Sequence, residues 1–169
     1  YIMKAVCVLT NTQDNIRGCI EFTETPDRKL LEINLNIKGL SPGYHGFHIH
    51  SKGDLREGCT SLCSHFNPDN TLHGDILDNK KNRHAGDLGN ILADKNGNVN
   101  YKIYDKLIKL YGKYNIIGRS VVIHEDEDDL GKGGLSFDDK IINEKIYNES
   151  IKTGNAGKRI ACGIIGWAQ

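Results

Sequence analysis

The sequence predicts an all-β fold, and three observations carry this prediction. Apolar residues occupy every second position from Leu31 to Ile37 and alternate with polar ones, which is typical of a half-buried strand. The chain contains 19 glycines and turn signals such as that at Asp94–Gly97. Apolar stripes at helical spacing are scarce. Many short strands joined by turns favour a sandwich or a closed barrel.

Eight segments have the length and composition of strands, and two long segments between them do not. The predicted strands are Lys4–Thr10, Ile16–Thr23, Leu31–Ile37, His45–His50, Gly89–Ala93, Val99–Tyr104, Ile116–His124 and Arg159–Gly166. The two exceptions are Ser51–Asn82 and Glu125–Lys158. Because long loops in a compact domain are usually functional, both are candidates for carrying a site.

Length, charge and the N-terminal residues limit the classes of function. At 169 residues the chain suits one domain, residues 1–169, and we interpret Tyr1 and Ile2 as additional residues before a natural start at Met3. The formal net charge is zero, so charge gives no reason to expect nucleic acid or a membrane surface as a partner. The N-terminus does not resemble a secretory leader, and no apolar run is long enough to span a membrane. We therefore expect a cytoplasmic protein.

Six of the seven histidines and one aspartate fall into a pattern that can build two metal sites. They are His48, His50, His65, His73, His84, Asp87 and His124. His48 and His50 are two residues apart on a strand, so their side chains leave the same face. Seven residues complete two four-coordinate sites only if one of them binds both metals, and imidazole can do this through its two ring nitrogens. An all-imidazole set suits copper, whereas three imidazoles with a carboxylate suit zinc.

Segments that carry a family resemblance extend over almost the whole chain. They are Lys4–Leu9, Gly43–His50, Gly58–Ser61, His65–Pro68, Gly86–Asn90, Ile116–Arg119, Asp128–Gly134 and Lys152–Arg159. On these segments the chain resembles the eukaryotic-type copper–zinc superoxide dismutases, from Met3 to Gln169. The resemblance implies an eight-stranded Greek-key β-barrel, an Ig-like sandwich with two long functional loops. It also implies an oxidoreductase that converts superoxide to oxygen and hydrogen peroxide.

The resemblance assigns the metal ligands by motif position. Copper falls to His48, His50, His65 and His124, and zinc falls to His65, His73, His84 and Asp87, so His65 bridges the two metals. In the mechanism that it implies, one superoxide gives an electron to copper and a second superoxide receives it. His65 leaves the reduced copper and carries a proton towards the peroxide. Zinc is redox-silent and supports the bridging ring.

Charged residues near the expected copper site also gain roles from the resemblance. Arg159 matches the family arginine beside copper, where a guanidinium can dock the superoxide anion. Asp128 matches an aspartate that accepts hydrogen bonds from one copper ligand and one zinc ligand. Lys152 and Lys158 are the candidates for steering the anion towards the site.

The cysteines fit the family pattern in part. The resemblance pairs Cys59 with Cys162 in an intrachain disulfide that ties the first long loop to the barrel. Cys63 stands where the family commonly has glycine. Competition of Cys63 for Cys162 and adventitious metal binding both stay open.

Two partners besides superoxide follow from the resemblance. The first is a second copy of the chain, in a homodimer formed through Gly53, Ile117, Gly118 and Trp167. Lys52 stands where relatives often carry an aromatic residue, which disfavours this interface. The second is a copper chaperone as a candidate metal donor.

The second long segment contains an insert, Leu135–Ser150, that exceeds the usual family length. Its adjacent aspartates, Asp138 and Asp139, are candidate helix caps, and two isoleucines follow at a spacing of four residues. We expect a short helix near Asp139–Glu149.

Two other classes of function fit the sequence less well. A copper chaperone or metal buffer built on this fold is disfavoured for two reasons. The chain has no Cys-X-X-Cys domain or Cys-X-Cys tail, and all of the expected copper ligands are present. A zinc hydrolase needs an open coordination position and a general base. Here four protein ligands would close the zinc site.

Overall fold

The computed structural model describes residues 2–13 and 15–169, so the prediction made for Tyr1 lies outside the described residues. Within the described part of the chain there are nine strands and one α-helix. The strands are β1 (Lys4–Val8), β2 (Asn11–Thr12), β3 (Arg17–Glu24), β4 (Leu31–Lys38), β5 (Gly43–His50), β6 (Asp87–Ala93), β7 (Val99–Asp105), β8 (Ser120–His124) and β9 (Arg159–Trp167), and the helix is α1 (Glu144–Thr153).

The strands form a nearly closed antiparallel barrel. Neighbours in the sheet follow the order β6-β5-β8-β9-β1-β3-β4-β7, with β2 beside β9. β1, β3 and β4 are sequential neighbours, whereas β5 crosses to the other end of the order, which is a Greek-key connection. The two end strands are joined by a tight turn, in which the Asp94 amide donates to the Asn98 carbonyl at 2.9 Å. The predicted all-β Greek-key barrel is confirmed.

Alternation along β4 produces the clearest part of the core. Leu31, Ile33, Leu35 and Ile37 are fully buried inside the barrel, while the residues between them point outward. Burial of each such side chain contributes about 2 kcal/mol. β4 pairs with β3 on one edge and with β7 on the other, so it lies within the sheet.

Two strand predictions were too long, each because the chain changes partner or turns. The Leu9 amide still donates to β3 through Gly18, but the Thr10 amide donates to Cys162 of β9, so β1 ends before residue 10 and a separate β2 follows. Ile116–Arg119 is a turn in which Gly118 has a φ of 77°. The strand predicted from Ile116 therefore begins only at β8.

The insert contains a helix, but the predicted bounds were wrong. The side chain of Asn143 caps α1 by accepting from the Ile146 amide at 3.1 Å. Asp138 instead accepts from Ser136 in a preceding turn, and Asp139 has a φ of 59°, which is not helical. The helix therefore begins later than expected. Among the residues that the structure describes, no helix is long and apolar enough to cross a membrane.

Candidate metal centre

All seven predicted ligand residues converge in two groups of four. The first metal group consists of His48, His50, His65 and His124. The second metal group consists of His65, His73, His84 and Asp87. Within each group the potential ligand atoms all lie within 4.8 Å of one another. His65 belongs to both groups, as it must if seven residues are to supply two four-coordinate sites.

Strand pairing brings the first metal group together. β5 supplies His48 and His50, and it pairs with β8, which ends at His124. The pairing of β8 with β9 shifts register between Ile123 and His124, and such an irregularity re-aims a side chain. An isolated bridge between His50 and His65 fixes the first long loop against β5.

Three nitrogens of the first metal group are buried and have no hydrogen-bond partner. They are His48 Nδ1, His50 Nε2 and His124 Nε2. The opposite nitrogens are all engaged: that of His50 donates to the Cys63 carbonyl at 2.8 Å, and that of His124 donates to the Gly157 carbonyl at 3.0 Å. A buried nitrogen without a partner lowers the stability of the fold, and a bound metal ion would supply that partner. The arrangement therefore fits a metal ion.

Ligand atoms of the second metal group surround one oxygen of Asp87. Its Oδ1 lies 2.9 Å from His73 Nδ1, 3.0 Å from His65 Nδ1 and 3.1 Å from His84 Nδ1. Tetrahedral zinc with bonds near 2.0 Å would separate its ligand atoms by about 3.3 Å. His73 Nδ1 makes no hydrogen bond despite the short distance. The four residues therefore fit a four-coordinate zinc ion.

Asp128 connects the two metal groups. Its Oδ2 accepts from His48 Nε2 at 2.5 Å, and its Oδ1 accepts from His73 Nε2 at 2.8 Å. Asn90 holds the Asp128 backbone on both sides, by accepting from its amide at 2.7 Å and donating to its carbonyl at 2.9 Å. No sequence pattern predicts this role for Asn90, although it lies three residues after the predicted ligand Asp87.

The end of α1 packs directly on this connection. Gly154 closes the helix with a φ of 77°, and its amide donates to the Ser150 carbonyl at 3.0 Å. A Cβ at Gly154 would lie 2.1 Å from Asp128 Oδ1 and 2.5 Å from His73 Nε2. The His73 amide donates to the Ile151 carbonyl at 2.8 Å. The insert helix thus supports the second metal group, which its sequence pattern did not reveal.

A buried arginine directly after the first long loop fixes the backbone next to His84. Arg83 is 1% exposed, and its Nη1 lies 2.7 Å from Asp105 Oδ1 at the end of β7. The same guanidinium donates to the carbonyls of Ile76, His84 and Ala85 at 2.7, 3.1 and 3.0 Å. Since these acceptors are mostly backbone groups, no sequence motif could have predicted this support.

Protonation in the metal-free site is set by burial and by the two carboxylates. Burial lowers the pKa of His48 and His50 well below the usual value and lowers the pKa of His124 to about 4. Burial also lowers the pKa of His73, but contacts with the two carboxylates outweigh it and raise that pKa to about 10. Burial alone would raise the pKa of Asp87, yet its histidine contacts hold it well below the usual value. Metal at the second group must therefore displace a proton from His73.

One pocket opens onto the first metal group. It has a volume of about 560 Å³, and its lining includes His50, His65, His124, Lys152 and Arg159. The predicted docking residue Arg159 and the predicted steering residue Lys152 thus line the same pocket as the first metal group. Lys158 lies instead on a neighbouring depression.

The Arg159 guanidinium is held in place by backbone carbonyls of the first long loop. Its Nη1 donates to the Cys59 carbonyl at 2.7 Å, and its Nη2 donates to the Cys63 carbonyl at 2.6 Å. Burial lowers the pKa of Arg159 below its usual value. An arginine nevertheless stays charged at neutral pH, so the pocket contains a fixed positive group.

A family model described as copper/zinc superoxide dismutase (SODC) matches residues 16–165. The chain belongs to this family. It is 48% identical over 169 residues to the superoxide dismutase [Cu-Zn] of Paramecium bursaria Chlorella virus 1. The aligned region covers 99% of this chain and 82% of the relative. It is 48% identical over 161 residues to the extracellular superoxide dismutase [Cu-Zn] of Brugia pahangi, covering 95% and 74%.

A solved structure superposes on almost the whole chain. The crystal structure described as that of the clock protein EA4 superposes with a TM-score of 0.85 at 44% sequence identity, covering 98% of this chain and 95% of the other. Copper and zinc are accordingly the metals of this chain, and dismutation of superoxide is its reaction.

The disulfide expected from the superoxide dismutase resemblance is present. Cys59 and Cys162 are bonded, with their Cα atoms 5.9 Å apart and a sequence separation of 103 residues. Closing a loop of about this length contributes about 4.7 kcal/mol by chain entropy. Cys63 is free and exposed, so it does not take Cys162 in this structure.

Replacing Asp128 with asparagine tests the connection between the two metal groups. An amide can accept from one histidine only through its oxygen and places an N–H against the other. We expect zinc and copper to be retained about 10- to 100-fold less tightly, the range found when outer partners of metal ligands are changed. Competition with chelators measures both affinities, and Asp126→Asn, an exposed position two residues earlier, is the matched control. Unchanged affinities for both metals would contradict this role.

Proposed function

We propose that this superoxide dismutase holds copper at the first metal group and zinc at the second metal group. The supporting observation is the single imidazole shared by the groups: His65 turns Nδ1 towards Asp87 and so leaves Nε2 for the first metal group. When bound, copper alternates between two oxidation states, so it can take an electron from one superoxide and give one to another, while zinc stays redox-silent.

His65 is the proposed proton donor to the product. Its ring is almost fully buried, and its contact with Asp87 keeps one nitrogen committed to the second metal group. The other nitrogen faces the pocket side, where it can hold a proton whenever it is not bound to a metal. Because the ring stays oriented by Asp87, that proton is delivered at a defined position beside the substrate.

Arg159 is the proposed docking group for superoxide. Two of its nitrogens are occupied by carbonyls, which fixes the orientation of the guanidinium without neutralising its charge. The remaining N–H groups can donate to a small anion in the pocket. Lys152 lines the same pocket and is the stronger candidate for steering, and Lys158 contributes from outside it.

Metal analysis with an assay of superoxide decay tests the proposal. Protein loaded with both metals should contain about one copper and one zinc per chain and should remove superoxide, because each group offers one four-ligand site. A zinc-only preparation should be inactive. Equal activity of the zinc-only and the doubly loaded preparation would contradict the copper role. Hydrolase activity is not expected, since four protein ligands close the second metal group.

We further propose that the chain forms a symmetric homodimer. Gly53 and Gly118 approach so closely that a Cβ on Gly53 would lie 2.1 Å from the Gly118 carbonyl oxygen. The Gly118 amide donates to Ile165 of β9 at 2.8 Å, which places it near the exposed end of that strand. There Trp167 is 57% exposed, as expected for an apolar residue that a second copy covers.

Light scattering at micromolar concentration tests the dimer. We expect twice the chain mass of 18.8 kDa, with loss of the dimer in Ile117→Glu because a charge would be buried at a two-fold interface. Phe137→Glu is the matched control, because Phe137 is fully exposed on the insert. A monomer in the unsubstituted protein would contradict the proposal, whether or not Lys52 is the cause.

A cytoplasmic location and a copper chaperone as metal donor complete the proposal. The free cysteines Cys7, Cys19 and Cys63, of which the last is exposed, suit a reducing compartment. Microscopy of a tagged protein tests the location, and the extracellular Brugia pahangi relative defines the contrary outcome. Copper content after expression with and without a chaperone tests the donor.

A further inference from the structure

A groove lies at the seam where backbone pairing does not close the barrel. Among the described strands, β6 pairs only with β5 and β7 pairs only with β4, so one edge of each strand faces the seam. This seam groove has a volume of about 810 Å³, and both strands line it together with parts of the two long loops. None of the seven metal ligands lines it, so the proposed reaction does not use it.

Most of the side chains that line the seam groove are apolar or aromatic. Leu77 of the first long loop is 81% exposed, and the two tyrosines of the lining, Tyr44 on β5 and Tyr104 on β7, are about half exposed. An apolar side chain as exposed as Leu77 gains free energy when a partner covers it. Tyrosine rings add a surface that attracts positive charge.

The charged side chains that line the seam groove are acidic. Among the described residues of the lining they are Asp75 and Glu127, and no lysine, arginine or histidine lies beside them. Neither carboxylate forms an ion pair with any part of the chain that the structure describes. A ligand that complements this groove therefore carries positive charge together with apolar side chains.

We propose that the seam groove docks an extended basic segment of a partner protein, in which arginine or lysine alternates with aliphatic residues. The free edges of β6 and β7 suit an extended backbone, because a strand can add to an exposed sheet edge. Alternate side chains of such a segment leave it on opposite faces. Aliphatic ones can therefore cover Leu77 while basic ones reach Asp75 and Glu127.

The seam groove shares its walls with the support of the second metal group. Asn90, which lines it, holds the Asp128 backbone on both sides. The amide of Leu130, also in the lining, donates to Asp128 Oδ1 at 2.7 Å. A segment that bridges these walls therefore favours the arrangement in which Asp128 orients His73. It should slow the release of zinc, and this part of the inference rests on the proposed function.

Titration of the copper- and zinc-loaded protein with a short peptide tests the docking site. The probe is a capped, fluorescently labelled peptide of alternating arginine and leucine, and fluorescence anisotropy measures its dissociation constant. We expect saturable binding, and at least about tenfold weaker binding of a matched peptide with glutamate in place of arginine. Because the net charge of the chain is zero, such a preference reports local charge. Equal binding of the two peptides, or no binding of either, overturns the inference.

Two pairs of substitutions locate the peptide. Glu127→Lys should weaken binding at least about tenfold, whereas Glu21→Lys, the same charge change at an exposed position on β3 outside the lining, should change it less than about twofold. Leu77→Ser should weaken binding about three- to tenfold. Ile142→Ser removes an apolar side chain of similar exposure from the insert and should have no effect. Equal effects within either pair contradict docking at the seam groove.

Transfer of zinc to a chromophoric chelator tests the effect on the second metal group. We expect transfer to be at least about threefold slower with saturating arginine–leucine peptide than with the glutamate peptide. An unchanged rate overturns the coupling. Absence of zinc from the loaded protein contradicts the proposed function instead, and the titration still reports on the seam groove. If the protein alone forms complexes larger than a dimer that Leu77→Ser reduces, a second copy occupies the groove and the inference of a basic partner is wrong.

Discussion

His124→Ala is expected to abolish superoxide removal while leaving the protein folded. The substitution removes one of the four ligand nitrogens of the first metal group, and His124 is only 6% exposed to solvent. Since changes to outer partners of metal ligands already cost 10- to 100-fold in affinity, loss of a ligand should lower the rate by more than about 100-fold. Copper content, zinc content and the rate are measured on the same preparation.

His84→Ala is the matched comparison for His124→Ala. His84 belongs only to the second metal group, so its loss should release zinc and retain copper. The two variants should therefore show opposite metal deficits. If His124→Ala kept full copper and more than about a tenth of the rate, the assignment of copper to the first metal group would be wrong.

Arg159→Glu is expected to slow superoxide removal by about 100-fold and to change its salt dependence. The net charge of the chain is zero, so the attraction of the anion depends on local charge in the pocket. In the unsubstituted protein the rate should fall as salt rises, because screening sets in over about 10 Å at 0.1 M. With glutamate in the pocket the anion is repelled, so the rate should rise with salt or stay flat.

Two controls accompany Arg159→Glu. Lys132→Glu makes the same charge change at an exposed position outside the pocket lining, and it should alter the rate far less. Arg159→Lys keeps the charge but cannot reproduce both carbonyl bonds, so it separates docking geometry from charge. Thermal unfolding and metal content show whether the variant has lost its loop contacts. An unchanged rate and salt slope in Arg159→Glu would place guidance elsewhere, with Lys140 and Lys145 of the insert as the next candidates.

The boundaries of several elements could not be predicted from local pattern. The insert helix begins at Glu144 because Asn143 has an extended backbone and a free side-chain oxygen for the Ile146 amide. Asp139 had the right chemistry for a cap, but its backbone lies in the left-handed region. β1 is shorter than its apolar pattern because the Thr10 amide finds its partner in β9. The helix start thus follows from local backbone geometry, and the end of β1 follows from a distant contact; neither is visible in the residue pattern.

The sequence by itself determined the all-β class, the core face of β4 and the identity of the seven residues that converge. These features depend on residue type and on short spacings: alternation defines a buried face, and His48 and His50 share a face whatever surrounds them. Tertiary structure alone decided which nitrogen is left bare in His48, His50, His73 and His124. That choice depends on acceptors such as the carbonyls of Cys63 and Gly157, and every residue type has such a carbonyl, so only the packing of distant segments selects among them.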